Sequence, residues 1–97
     1  MLFAVICTDR PASLDLRLAA RPGHLAYLAT YADRVVQGGP LLDTDGRPGG
    51  TLLLIEVEDR AVAEGFAASD SYARARLFES TVIRAHRTVM RDGEVVA

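Results

Sequence analysis

Two short stretches of this chain are apolar in every direction, and no other feature constrains the fold as strongly. In Leu2–Thr8, Phe3, Val5 and Cys7 point to one side of an extended strand while Leu2, Ala4 and Ile6 point to the other. In Thr51–Val57, Leu52, Leu53, Leu54 and Ile55 are consecutive, so both faces of that strand are apolar as well. Strands of this kind belong in the middle of a sheet, covered on both sides. A third extended segment, Val35–Leu42, carries Gly38-Gly39-Pro40 at its centre, and a proline inside a strand confines it to a sheet edge or a bulge. The turn-rich loop Asp43–Gly50 closes it as a hairpin onto the Thr51–Val57 strand. A fourth strand falls within Leu77–Met90, a segment rich in β-branched residues. Val82 and Ile83 occupy opposite faces there, so it is expected to bulge or to be covered on both sides. Asp92-Gly93 turns the tail back as a small hairpin.

Helical segments separate the strands. Asp9-Arg10-Pro11 ends the first strand, and Ser13 can cap a short helical stretch to Ala20, although Leu14, Leu16 and Leu18 do not keep helical spacing. Pro22 is expected to interrupt the chain, because it biases Arg21 away from helical geometry and is best accommodated in a first helical turn. The main helix then follows to about Arg34. At about 100° per residue, Leu28, Ala32 and Val35 share a side with His24, while Ala26, Thr30 and Asp33 lie opposite. This puts His24 on the buried face, in the first turn. An imidazole so placed is either a core residue with a satisfied hydrogen bond or a functional group beside a pocket, and periodicity favours neither. Asp59 caps a second helix from Arg60 to about Ala68, with Val62 and Phe66 one turn apart on its inward face, and Ser69-Asp70-Ser71 ends it.

The order βαββαβ has one simple compact solution. It is a four-stranded antiparallel sheet in spatial order 4-1-3-2 with both helices on one face, the α+β ferredoxin-like arrangement. The central strands then have a second apolar face without a helix over it, larger than a soluble monomer usually leaves open. A second copy covers it most economically. Two sheets packed face to face form a dimeric α+β barrel, burying on the order of 1,600 Å² or more. The 97 residues make one domain, 1–97, and a hydrophobic content of 49% with 25% charged residues is ordinary for a globular protein. The net charge of −2 is dispersed, without a basic run, which argues against nucleic-acid and membrane partners. The apolar start lacks a positive leader and a cleavage site, and no run approaches the roughly 18 residues of a membrane span, so the cytoplasm is the expected compartment. Cys7, the lone cysteine, reads as a buried, inert thiol, and two histidines with one distant cysteine make no convincing metal site; no cofactor is expected.

The same topology brings His24 and Asp70 to one edge of the sheet, where a carboxylate could fix the imidazole tautomer and favour its protonated form. Across nearly its whole length the chain resembles the YciI-like (YCII-related) family. The resemblance runs through the apolar first strand, Arg21 and His24 ahead of Leu25-Ala26-Tyr27-Leu28, Gly39-Pro40-Leu41, Ser69-Asp70-Ser71-Tyr72 and Leu77-Phe78. It implies a ferredoxin-like dimeric barrel with His24 and Asp70 as an active-site pair. Two positions depart from the family pattern. Ser71 stands where a proline usually follows the aspartate, which leaves the turn that aims Asp70 less rigid. Ala85-His86 stand where the last strand often has a proline-aromatic pair. Arg21 is either an anion-holding residue or a solvated surface arginine, and Ser69 a ligand donor or a local cap. Gly39, Pro40 and Tyr72 complete the set expected to touch a ligand, although tyrosines are first of all packing aromatics with wet hydroxyls. His86 reads as a surface or interface residue.

The function these residues suggest is that of a small enzyme in which His24 acts as general base or acid and Asp70 orients it. The reaction is proton abstraction beside a carbonyl, of lyase, isomerase or dehydrohalogenase type, on a small organic acid or carbonyl compound; no activated nucleophile supports covalent hydrolysis. The alternative is a dimeric module that holds a small acid or aromatic ligand in the same pocket without reaction. A purely structural accessory protein, and an oxygen-dependent monooxygenase argued by fold analogy alone, complete the candidates.

Overall fold

A computed structural model describes residues 1–97. It runs β1 (Leu2–Asp9), α1 (Leu14–Ala29), β2 (Val35–Leu42), β3 (Pro48–Glu56), α2 (Arg60–Ser69), α3 (Ser71–Arg74) and β4 (Phe78–His86). A small tail hairpin of β5 (Met90–Arg91) and β6 (Glu94–Val95) follows. The four long strands form one antiparallel sheet in the order β2-β3-β1-β4, with β1 and β3 central and β2 at an edge, as their apolar patterns require. The fold is α+β and ferredoxin-like. No helix is long and apolar enough to cross a membrane.

Register decides which face is core. Phe3 lies opposite Ile55, and Val5 opposite both Leu53 and Ile83; these side chains point to the helical side. There they pack with Ala63, Phe66 and Ala67 of α2 in the buried cluster. Burying a Phe or Ile side chain contributes about 1.5–3 kcal/mol, so this face carries most of the cohesion. The opposite face, with Ala4, Ile6, Leu52, Leu54 and Val82, has no helix over it; Leu52 is 41% and Val82 46% exposed. β4 is shorter than the β-branched segment predicted, ending at His86, and its bulge lies at Glu79, where the register between Thr8 and Asp9 slips, rather than at Val82-Ile83. The Asp92-Gly93 turn has positive φ at both residues, 52° and 79°, as a two-residue hairpin loop of this twist needs.

Helix α1 is the main departure from expectation. It is one continuous helix from Leu14 to Ala29 with Pro22 inside it, and it ends a turn earlier than Arg34. An interior proline removes a backbone donor and costs about 3 kcal/mol. The carbonyl it orphans belongs to Leu18, and both Leu18 and Pro22 face solvent, where water can serve that carbonyl. The helix stays in one piece because it is anchored on both sides of the proline, by buried Arg17 before it and buried His24 after it. His24 therefore sits in the second half of a long helix, not in a first turn. Ser13 does precede the helix, but its hydroxyl donates to the Pro11 carbonyl instead of capping the first turn.

The sheet interior leaves no room beside Gly50. A Cβ there would fall 2.5 Å from the Cys7 carbonyl oxygen on the neighbouring strand, and a backbone atom cannot swing aside. Gly50→Ala is expected to destabilise the fold by about 1–3 kcal/mol, read as a lower urea midpoint at unchanged slope.

Candidate active site

Between the inner face of α1 and the β2–β3 edge lies a cleft of about 270 Å³. Its lining includes Arg17, Arg21, His24, Gly39, Pro40 and Tyr72. The helix supplies the first three because they recur at helical spacing, and Arg17 and His24 stand two turns apart on one stripe.

His24 and Asp70 meet behind this cleft. Nδ1 of the imidazole lies 2.8 Å from each carboxylate oxygen of Asp70, and the two residues are only 6% and 3% exposed. Asp70 also caps α3, its Oδ1 accepting the Tyr72 backbone N–H at 3.1 Å. The carboxylate is thus held by the start of one helix while it holds a side chain of another. A carboxylate against Nδ1 puts the proton on that nitrogen and leaves Nε2 as the basic position. Nε2 has no partner within the protein, and no fully buried side-chain nitrogen or oxygen is without one, so Nε2 lies at the accessible edge of the ring. The Tyr72 ring stacks on the imidazole with centroids 3.9 Å apart and planes 16° from parallel, which fixes the tilt of the base.

A second buried pair lies alongside. Arg17 donates from Nε to Asp9 Oδ2 at 2.7 Å and from Nη2 to Asp9 Oδ1 at 3.1 Å, and Nη2 also donates to Thr51 Oγ1 at 2.6 Å. Its guanidinium carbon sits 4.6 Å from the centre of the Tyr72 ring. Burial works against the Arg17 charge, but the bonds and charge of Asp9 outweigh it and hold the guanidinium above its ordinary range. Burial likewise pushes the Tyr72 phenol up, against the pull of Arg17 and Arg21, and raises the Cys7 thiol. Tyr27, half-buried and beside Tyr31, is pushed up to about 12 by the burial it does have and by that neighbour. It stays a donor, its hydroxyl bonding to the Phe66 carbonyl at 2.9 Å. These groups are neutral or fixed in charge near neutral pH.

Of the residues singled out in the sequence, Arg21, His24, Gly39, Pro40 and Tyr72 line the cleft, and Asp70 stands behind His24. Ser69 does not line it: it is the exposed last residue of α2. Sequence reasoning missed Arg17, Asp9 and Thr51. Arg17 was legible only as the residue two turns before His24, and a helix scored on apolar spacing discards a charged residue on its buried face. His86 lies away from this cleft, on the open face of the sheet, where it borders a second depression of about 390 Å³ with Ala4 and Leu54.

A ferredoxin-like α+β chain with a buried His–Asp pair behind a small cleft defines a recognisable class of small protein. The chain belongs to the YCII-related domain family, which matches residues 1–87. It is 31% identical to Protein YciI of Escherichia coli O6:H1 over 97 residues, covering 92% of this chain and 99% of that one. An uncharacterised protein of Haemophilus influenzae is 28% identical over the same share of each chain. Among solved structures, it is similar to the 5-chloro-2-hydroxyhydroquinone dehydrochlorinase of Burkholderia phenoliruptrix AC1100, in complex with 2,5-dihydroxybenzoquinone. That match has a TM-score of 0.85 and 32% identity, covering 90% of this chain and 94% of that chain. An antibiotic biosynthesis monooxygenase matches at a TM-score of 0.52 and 16% identity, covering 91% and 100%; that likeness is one of fold alone.

The Asp9–Arg17 pair generates a stability prediction. Asp9→Asn leaves a buried guanidinium without a counter-charge and should lower stability by about 3–5 kcal/mol in chemical denaturation, whereas the paired change Asp9→Leu with Arg17→Met should recover most of the loss.

Proposed function

We propose that this protein is a cytoplasmic enzyme of proton-transfer chemistry, of lyase, isomerase or dehydrohalogenase type, acting on a small organic acid or carbonyl compound. The observation that carries the reading is the His24 imidazole. Its Nδ1 is tied to Asp70 and its Nε2 is left for a ligand, in a cleft large enough for a small ring. In the reaction, Nε2 takes a proton from the carbon beside the substrate carbonyl, and the Asp70 carboxylate stabilises the imidazolium that results. The proton then leaves to another position of the product, in an isomerisation, or to solvent once a leaving group such as halide departs. Tyr72 holds the imidazole in plane, and Arg21, exposed at the mouth, attracts an anionic substrate. The 32% identical dehydrochlorinase, bound to a hydroxyquinone, supports both the reaction type and a small oxygenated ring as substrate class.

We further propose a homodimer in which the open sheet faces pack together. It is supported by Leu52, Val82 and their half-buried neighbours Ala4, Ile6 and Leu54, which form one apolar face over the central strands.

Two experiments test these readings. In a screen of halogenated hydroquinones and small carbonyl acids, His24→Ala should lower kcat/KM by about 10²–10⁴-fold with the fold retained. Asp70→Asn should cost less, since the amide still occupies the site but neither stabilises the imidazolium nor enforces the tautomer. Wild-type activity in both variants would overturn the catalytic reading, and ligand binding without turnover, lost in both, would make the protein a binding module. For the assembly, sedimentation at micromolar concentration should show a species of twice 10.5 kDa. A well-folded monomer would sink the dimer.

A further inference from the structure

Two leucines of α1 are left open at the mouth of the cleft. Leu18 is 55% and Leu25 45% exposed, and both line it. A single exposed leucine needs no explanation, but these two stand two turns apart on one stripe, with Arg21 between them and half-buried Leu28 beyond. At 1.5 Å per residue the stripe from Leu18 to Leu28 is about 15 Å long. Pro40 of β2 and Pro48 of β3 line the cleft from the sheet side, and Gly39 beside Pro40 projects nothing into it. Arg21 makes no ion pair in the chain, and the stem of an arginine set between leucines adds apolar surface to theirs. The cleft is therefore graded. Buried His24, Thr51 and Tyr72 make its inner end polar and aromatic, while its mouth is apolar with one free cation. A cleft shaped only for a small polar ring has no use for leucines in water at its entrance, because their exposure becomes favourable only when something apolar covers them.

We propose that the mouth of the cleft is a hydrocarbon subsite, and that the substrate is an acid or hydroxyquinone carrying an alkyl or aryl substituent on its reacting skeleton. The inference rests on the proton-transfer reading above and names the substrate class for it. The reacting carbon lies at His24 Nε2, an anionic oxygen of the same molecule meets Arg21, and the substituent runs outward between Leu18 and Leu25 on one side and Pro40 and Pro48 on the other. The occupant is a substrate's own tail and not a protein segment, because the apolar gutter is continuous with the cleft and the free cation stands within it, in reach of the charged head of the same ligand. Full burial of a methylene raises affinity about fourfold; a gutter walled on two sides covers about half of each, so about twofold per methylene is expected. Specificity then has two parts. The inner end recognises the oxygenated head, and the leucines discriminate against heads that carry no hydrocarbon.

The test is a binding series that needs no turnover. 2,5-Dihydroxybenzoquinone and its 3-methyl, 3-propyl and 3-hexyl homologues are titrated against the protein by visible absorbance and calorimetry. In the wild type, affinity should rise about twofold per methylene, which is about tenfold from the bare ring to the propyl homologue. With Leu18→Ser and Leu25→Ser together, the rise should flatten to less than about twofold over the whole series. Leu16→Ser, a change at a 39% exposed leucine of α1 that does not line the cleft, should leave the series as steep as in the wild type. A flat series in the wild type overturns the inference. So does a slope that survives in the double variant or is lost equally in Leu16→Ser, since the attraction is then unspecific. A changed sedimenting mass of the double variant overturns it as well, because the leucines then meet a protein chain instead of a ligand. Failure of the proton-transfer reading is separable: it shows as unchanged turnover in His24→Ala, with the chain-length slope intact.

Discussion

A guanidinium taken out of water between a helix and a sheet is tolerable only where its charge is met on the spot, and much of this structure follows from how Arg17 meets that demand. Its partners lie on both central strands, Asp9 at the end of β1 and Thr51 on β3, so one side chain ties α1 to the middle of the sheet. Apolar packing tolerates a helix that slides or rolls by a fraction of a turn; a bidentate ion pair does not. The net stability of such a pair is small, because desolvation offsets most of the attraction, but any docking that separates the partners is penalised by several kcal/mol. The pair therefore acts as a register pin for α1, and His24 inherits its position from that pin.

The other half of the site is set by a very short element. Four residues of helix cannot persist alone, since a single turn fixes several dihedrals for one hydrogen bond. α3 persists because Asp70 caps it, because it packs on α1, and because Tyr72 lies against two α1 side chains. The approach is close: a Cβ on Gly23 would fall 2.9 Å from the Ser71 hydroxyl, so a glycine in α1 is what lets the short helix sit so near. The rigidity expected of a proline after Asp70 is supplied here by cap, stack and contact together. Asp70 serves two masters with one carboxylate, and either the cap or the imidazole would be left unpaired in a buried place if it turned away.

Strand order was legible in the sequence because it followed from a rule that tertiary context does not override. Strands apolar on both faces go to the middle, and one carrying Pro40 goes to the edge. The meeting of His24 and Asp70 was also legible, although for a partly mistaken reason. Pro22 taken by its local chemistry marks the start of a helix and puts His24 in a first turn, whereas anchors on both sides of the proline keep α1 continuous. Arg17 itself was illegible by the same logic that found the helices: a pattern built on apolar spacing treats a buried arginine as a break in the stripe. Leu14, Leu16 and Leu18 looked unhelical because the inward position between them belongs to a charged residue whose partners lie far along the chain, at Asp9 and Thr51.

The open face and the cleft are not independent. Gly38, Gly39 and Pro40 of β2 border both the His24 cleft and the depression that His86 shares on the other side of the sheet. β2 is an edge strand, hydrogen-bonded along one side only, and its pairing with β3 slips at both ends. Its middle carries two glycines, so little side-chain bulk holds it in place. Cover placed over the open face would press on one side of this stretch, while a ligand beside His24 would press on the other. The wall of the cleft is thus the part of the site with the least support inside a single chain, in contrast to the opposite wall, where Arg17 and His24 are each locked by a buried carboxylate. A site built this way holds its chemistry rigid on the helix and leaves its width to be set at the edge strand, where packing of a second sheet would act.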